Sequence, residues 1–87
     1  MFFTYILLLS NGKYYVGQTN DIKQRLVRHE TGQVRSTRSF RPLQMVYYEE
    51  FETRSESMQR EAQLKSWKSH QAISDLIACS TVPSSNG

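Results

Sequence analysis

A single cysteine, Cys79, rules out an intramolecular disulfide, and no Cys/His cluster has the spacing of a zinc site. A reducing, cytoplasmic setting is the expectation that follows. No apolar run is long enough to span a membrane. The longest, Met1-Phe2-Phe3-Thr4-Tyr5-Ile6-Leu7-Leu8-Leu9, is interrupted by Thr4. It lacks the basic segment and the small-residue cleavage site of a signal peptide, so a buried strand is the better reading. Eighty-seven residues leave no room for a second domain that could fold alone, and neither internal repeats nor an interdomain linker are present. With 38% apolar residues the core must be small, its strands and helices covering each other closely.

Acidic residues are scarce in one part of the chain. Residues 13–42 carry seven Lys and Arg against Asp21 and Glu30, a net charge of +5. Residues 43–87 carry four against six acids, a net of −2. The overall +3 and pI of about 9.2 therefore understate a local positive potential of the kind that phosphate binding requires.

The stretch Tyr5–Tyr15 reads as a β-hairpin turning at Asn11-Gly12. Its register decides which side chains share a face. A two-residue turn would pair Tyr5 with Gln18 and separate Tyr5 from Tyr15. A three-residue loop, Ser10-Asn11-Gly12 with Gly12 left-handed, pairs Tyr5 with Gly17 and Leu7 with Tyr15, placing Tyr5, Tyr15 and Gly17 together. The second register is the expectation, because Gly17 leaves room for the ring opposite it.

The first strand is expected over Phe3–Leu9 and the second over Lys13–Thr19. Asn20 then caps a helix that runs to about Thr31 and stops at a left-handed Gly32. On that helix Ile22, Leu26 and His29 form one stripe, Arg25 flanks it, and Gln24 and Arg28 face water. Gln33–Pro42 has Arg35, Arg38 and Arg41 at every third position with hydroxyls between and no acid. It suits backbone-phosphate contacts, with Phe40 free to pack or stack; an exposed loop without a ligand is the plain alternative. Leu43–Glu52 alternates as a third, antiparallel strand, with Leu43, Met45, Tyr47 and Phe51 on one face. Thr53-Arg54-Ser55-Glu56 is a capping-box signature for a second helix presenting Met58, Ala62 and Lys65 on one face, with Glu61 beside it. Ser69 caps a final helix with an Ile73, Leu76, Ile77 stripe, and a disordered tail is expected from Cys79 to Gly87. The class is α/β (α+β): a small three-stranded antiparallel sheet flanked by helices, one domain over residues 1–78.

Tyr5-Ile6-Leu7, Tyr15-Val16-Gly17, Arg25, His29 and the later Arg60-Glu61-Ala62-Gln63-Leu64-Lys65-Ser66-Trp67 occur in the order found in GIY-YIG nuclease domains. The chain resembles the small stand-alone branch of that family, similar to the incising subunit of bacterial excision repair, over roughly Phe3–Trp67. From the first motif, which reads Phe3-Thr4-Tyr5, only Tyr5 carries over.

The resemblance implies a metal-dependent endonuclease hydrolysing phosphodiester bonds in DNA, with low or structure-based specificity. It assigns Tyr15 as the phenol that orients or deprotonates the water. A free phenol titrates near pH 10, so a basic neighbourhood would help it. Tyr5 would position the water or phosphate, Arg25 would grip the phosphate, and His29 would bond to a tyrosine or relay a proton. Glu61 would hold one divalent ion, Mg²⁺ or Mn²⁺, and Gly17 shapes the site. Lys13, Arg35, Arg38 and Arg41 are the expected nucleic-acid contacts, and a protein partner could supply specificity. The alternative is a non-catalytic nucleic-acid-binding module using the same basic face. Tyr14, Tyr47, Tyr48 and Trp67 are assigned to packing.

Overall fold

In the computed structural model, which describes residues 1–35, 37–67 and 69–85 (backbone alone for 80–85), the apolar N-terminal stretch is the middle strand of a sheet. This strand, β1 (Phe2–Leu8), lies between β2 (Tyr14–Thr19) and β3 (Gln44–Phe51), antiparallel to both. Tyr5, Ile6 and Leu7 are fully buried, as a central strand covered on both faces must be. The hairpin closes through Leu9 N–H to Lys13 O (2.9 Å) and Gly12 N–H to Leu9 O (2.9 Å), with Gly12 at φ 83°. That is the three-residue loop, and its register pairs Tyr5 with Gly17 and Leu7 with Tyr15, as expected.

Helix α1 (Ile22–Glu30) packs on one face of the sheet. Its cap is Asp21 rather than Asn20: the Asp21 carboxylate accepts from Gln24 N–H at 3.0 Å. Both residues are good caps, and the carboxylate is further favoured by the positive end of the helix dipole. At the other end Gly32 is left-handed (φ 83°), with Gln33 N–H on Arg28 O and Gly32 N–H on His29 O. This Schellman turn sends the chain back beneath α1.

Strand β3 departs from simple alternation. Ile6 pairs with Tyr47 but Leu7 pairs with Met45, so Val46 is an extra residue at a β-bulge. The bulge moves side chains across the sheet. Leu43 and Met45 join Tyr5, Leu7 and Leu26 beneath α1, whereas Tyr47 joins Ile6, Val16 and Leu64 on the opposite side. The expectation that Leu43, Met45 and Tyr47 share one face is therefore corrected. Tyr48, assigned to packing, is 56% exposed and meets Phe3 edge-on.

That opposite face is covered by α2 (Arg54–Ser66) and α3 (His70–Ser85). The Thr53–Glu56 capping box forms in both directions. Helix α2 seats itself through Leu64 and the small Ser57, whose carbonyl accepts from buried Thr4 Oγ1 at 2.7 Å. Met58 and Ala62 consequently face solvent, not the core as the apolar pattern suggested. Arg60 makes a multiple hydrogen-bonded ion pair with Glu49 (2.9–3.1 Å), and Glu49 also accepts from Tyr47. Burial, then Glu49, pushes the Tyr47 phenol up to about 12, so this network is a neutral phenol on a closed ion pair.

Helix α3 starts from the Ser69 cap and buries Ile73, with Leu76 and Ile77 packed beside it. It runs on to Ser85, past the point at Cys79 where a disordered tail was expected. Neither glycine nor proline interrupts residues 70–82, so a capped helix propagates there one bond per residue. Asn86 and Gly87 lie outside the described residues. No helix among the described residues is long and apolar enough to cross a membrane.

Candidate active site

The register of the hairpin puts Tyr5, Tyr15 and Gly17 on the face that α1 covers. Gly17 stands opposite Tyr5 with no side chain, and the Tyr5 phenol fills that space. Its hydroxyl then reaches two α1 side chains one turn apart. Arg25 Nε–H donates to Tyr5 Oη at 3.1 Å, and Tyr5 Oη lies 2.9 Å from His29 Nε2. The His29 ring also meets both phenols edge-on, at 5.8 Å for Tyr5 and 5.3 Å for Tyr15.

Donor accounting sets the protons. A guanidinium only donates, so Arg25 occupies a lone pair of Tyr5 Oη and the phenolic hydrogen is left for His29 Nε2. Nε2 is then the bare nitrogen, and the imidazole proton sits on Nδ1. It points to Thr37 Oγ1 at 2.7 Å, and the Thr37 hydroxyl in turn approaches Val34 O at 3.5 Å. Tyr5, His29 and Thr37 are all fully buried, so this chain is closed to water.

Burial, aided by the Arg25 charge, lowers the His29 pKa from 6.5 to about 4, which keeps the ring neutral at physiological pH. Burial also raises the Tyr5 pKa; Arg25 opposes that rise, and the charges of Tyr15 and Glu61 add slightly to it. Tyr5 is a neutral hydroxyl here, not a phenolate. The Tyr5 hydrogen bond raises the Arg25 pKa, with Tyr15 contributing in the same direction, so the guanidinium is held charged between two phenols.

The neutral, buried imidazole makes stability depend on pH. An unfolded His29 takes up a proton near pH 6.5, the folded one only near pH 4. Between these values the unfolded state binds the extra proton, so stability falls as pH drops from about 6.5 and levels off below about 4. The total loss is expected to be on the order of 3 kcal/mol at ~1.4 kcal/mol per pH unit. Urea midpoints followed from pH 7 to pH 4 would show it as a difference from His29→Gln, which lacks the titrating ring. Parallel profiles for the two proteins would contradict it.

The positions expected from the sequence divide into three groups. Tyr5, Tyr15, Gly17, Arg25 and His29 come together as described. Tyr5, expected to position the water or phosphate, is sealed from solvent in this conformation and its hydroxyl meets Arg25 instead. His29, expected to bond to a tyrosine or relay a proton, bonds to Tyr5 and is likewise buried. Glu61, on α2, approaches from the other side of the edge strand β2 and acts electrostatically on Tyr5, while pairing with Lys65 at 3.0 Å. Lys13, Arg35 and Arg38 are exposed around the hairpin and loop. Arg41 has a structural engagement: its guanidinium packs on Gly32 and donates to Arg38 O (3.0 Å) and Glu30 O (3.3 Å) at the end of α1. Phe40 packs against the Tyr5–Leu7 cluster.

Thr37 was not anticipated. In the sequence it is one hydroxyl among several between arginines, and no periodicity marks it as buried. Tyr15 and Arg25 remain accessible. Tyr15 lines a cleft of about 270 Å³ with Lys65 and Trp67, and Arg25 lines another of about 320 Å³ with Arg28 and Arg54.

The GIY-YIG catalytic domain model matches residues 1–73. A UPF0213 protein of Bacillus pumilus is 41% identical over 64 residues, covering 72% of this chain and 65% of that protein. A UPF0213 protein of Staphylococcus saprophyticus is 38% identical over 66 residues, covering 75% of this chain and 80% of the relative. The solution NMR structure of a UPF0213 protein from Bacillus halodurans superposes with a TM-score of 0.62 at 28% identity, covering 99% of this chain and 93% of that one. With three antiparallel strands, the ordered motif residues on their faces and a family match across most of its length, the chain belongs to the GIY-YIG catalytic domain family, a family of nucleases.

Proposed function

We propose that this protein is a metal-dependent endonuclease that hydrolyses phosphodiester bonds in DNA with low or structure-based specificity. The observation that carries the reading is the strapping of Arg25. Its Nε is fixed on buried Tyr5, so the guanidinium is aimed before any substrate arrives, and it lines an open cleft. Preorganised donors of this kind stabilise charge developing on a phosphate without reorganising during the reaction. Arg25 grips the scissile phosphate with its remaining N–H groups. Tyr15, the phenol that stays half-buried beside His29 on the same face, orients the attacking water. Tyr5, His29 and Thr37 are positioning residues that act through Arg25 and Tyr15. Lys13, Arg35 and Arg38 add phosphate contacts along the basic side, with Arg41 bracing the loop that carries Arg35 and Arg38.

GIY-YIG nucleases commonly use divalent metals, and the donor set here fits one such mode. Among the described residues no group of three His, Cys, Asp or Glu could hold an ion by itself. Glu61 is a lone, half-buried carboxylate, which suits Mg²⁺ or Mn²⁺, ions that keep most of their waters and take phosphate oxygens from the substrate. Such an ion, when bound, would neutralise charge on the phosphate.

Supercoiled plasmid incubated with the purified protein is expected to become nicked with Mg²⁺ or Mn²⁺ and to stay intact in EDTA. Glu61→Gln should lower nicking by about 100-fold or more, in the range of one lost charge-stabilising group. Plasmid that is bound but never cut under any metal would replace this reading with that of a nucleic-acid-binding module.

A further inference from the structure

The cleft of about 320 Å³ beside Arg25 is lined by two further guanidiniums, Arg28 from α1 and Arg54 from the first position of α2. Among the described residues no carboxylate forms an ion pair with them. The ion pairs among the described residues are Arg60–Glu49 and Lys65–Glu61. Asp21, the acid that lines the cleft, already uses its carboxylate to cap α1. Arg54 is steadied from one side, its guanidinium lying 5.9 Å over the Phe2 ring, which leaves its planar N–H edge for an anion. The cleft also holds Gln18, whose Oε1 is the buried side-chain polar atom without a hydrogen-bond partner among the described residues. Three like charges around one polar hollow mark a site whose counterpart comes from outside the chain.

We propose that Arg54 and Arg28 form a second phosphate subsite, which holds the backbone phosphate of a nucleotide adjoining the one cut. The proposal rests on the nuclease reading above and adds to it a direction for the strand. Arg54 precedes Glu61 by seven residues of helix, roughly 10 Å at the helical rise, a distance one or two nucleotides can span. The strand therefore runs along the β2 edge, from Gln18 and Arg54 towards Tyr15. Because Arg54 grips a phosphate that does not react, its loss weakens binding and leaves the chemical step alone.

The test is binding of the full chain to a fluorescein-labelled DNA duplex in EDTA, across a series of NaCl concentrations. Arg54→Ala and Arg28→Ala are each expected to weaken binding about five- to tenfold, as for one lost charge-assisted contact. Each should also make the salt slope shallower by about 0.9. Arg54→Lys should keep the slope, and Arg54→Gln, which keeps the stem over Phe2, should behave as the alanine variant. Lys23→Ala, an exposed charge of α1 outside the cleft, should change the slope little. An unchanged slope in Arg54→Ala, an equal effect of Lys23→Ala, or no measurable binding by the parent chain would each overturn the subsite. Nicking is scored separately: if the slope shifts as expected while no metal supports cleavage, the subsite stands and the nuclease reading falls. If cleavage proceeds and Arg54→Ala alters neither slope nor KM, the subsite alone falls.

Discussion

Gly17→Ala is expected to reduce nicking by about 100-fold and to destabilise the fold by about 1–3 kcal/mol. A Cβ at residue 17 would stand 2.5 Å from Tyr5 Oη and 2.6 Å from Tyr5 Cζ, inside any tolerable contact. The phenol has nowhere to retreat. It is fully buried, and its oxygen is held between Arg25 Nε at 3.1 Å and His29 Nε2 at 2.9 Å. Moving the ring moves both partners, and the guanidinium loses its aim. Urea unfolding and plasmid nicking on the same preparation would measure the two consequences. Parent-level nicking by the alanine variant would show that Tyr5 does not position Arg25.

The second large effect is expected from Arg25→Lys, which should lose nicking by about 100- to 1000-fold and recover little over Arg25→Ala. Lysine conserves the charge but not the geometry. Arg25 binds Tyr5 through Nε, has its charge favoured by Tyr15, and still lines the cleft, tasks that a planar fork with five donors can divide. A single ammonium that satisfies Tyr5 points away from the cleft, and one that reaches the cleft leaves the buried Tyr5 oxygen without its donor. Initial rates at saturating Mg²⁺ would decide the matter. A lysine variant within about threefold of the parent would mean that charge alone suffices, against the geometric argument.

Both expectations depend on residues that the sequence singled out, but with different roles. Tyr5 looked like a group that meets water or phosphate, and the fold seals it beneath α1 with its hydroxyl on Arg25. Nothing local to Tyr5 distinguishes these roles, because its burial depends on α1 lying over the sheet. The misplaced face of Tyr47 has a similar origin. Residues 43–52 alternate in the sequence, and a bulge at Val46 changes neither composition nor period in a readable way. On α2, the apolar Met58 and Ala62 suggested the buried face, but the approach of Thr4 to Ser57 selects the face carrying small and polar residues. Arg54 and Arg28 drew no attention as binding residues because they are 26 positions apart and meet only in the folded molecule.

Interactions closed within a few residues were determined by the sequence alone. The Gly12 loop and with it the Tyr5–Gly17 register, the left-handed stop at Gly32, the Thr53–Glu56 box and the Ser69 cap each need only a turn of chain and one suitable side chain. The tertiary structure decided the tautomer of His29, the sealing of Tyr5, the engagement of Arg41 at the end of α1 and the three-arginine cleft. Each of these depends on which groups from distant segments come to share one volume, and on the dielectric and donor count inside it. Those quantities exist only once the helices have closed over the sheet.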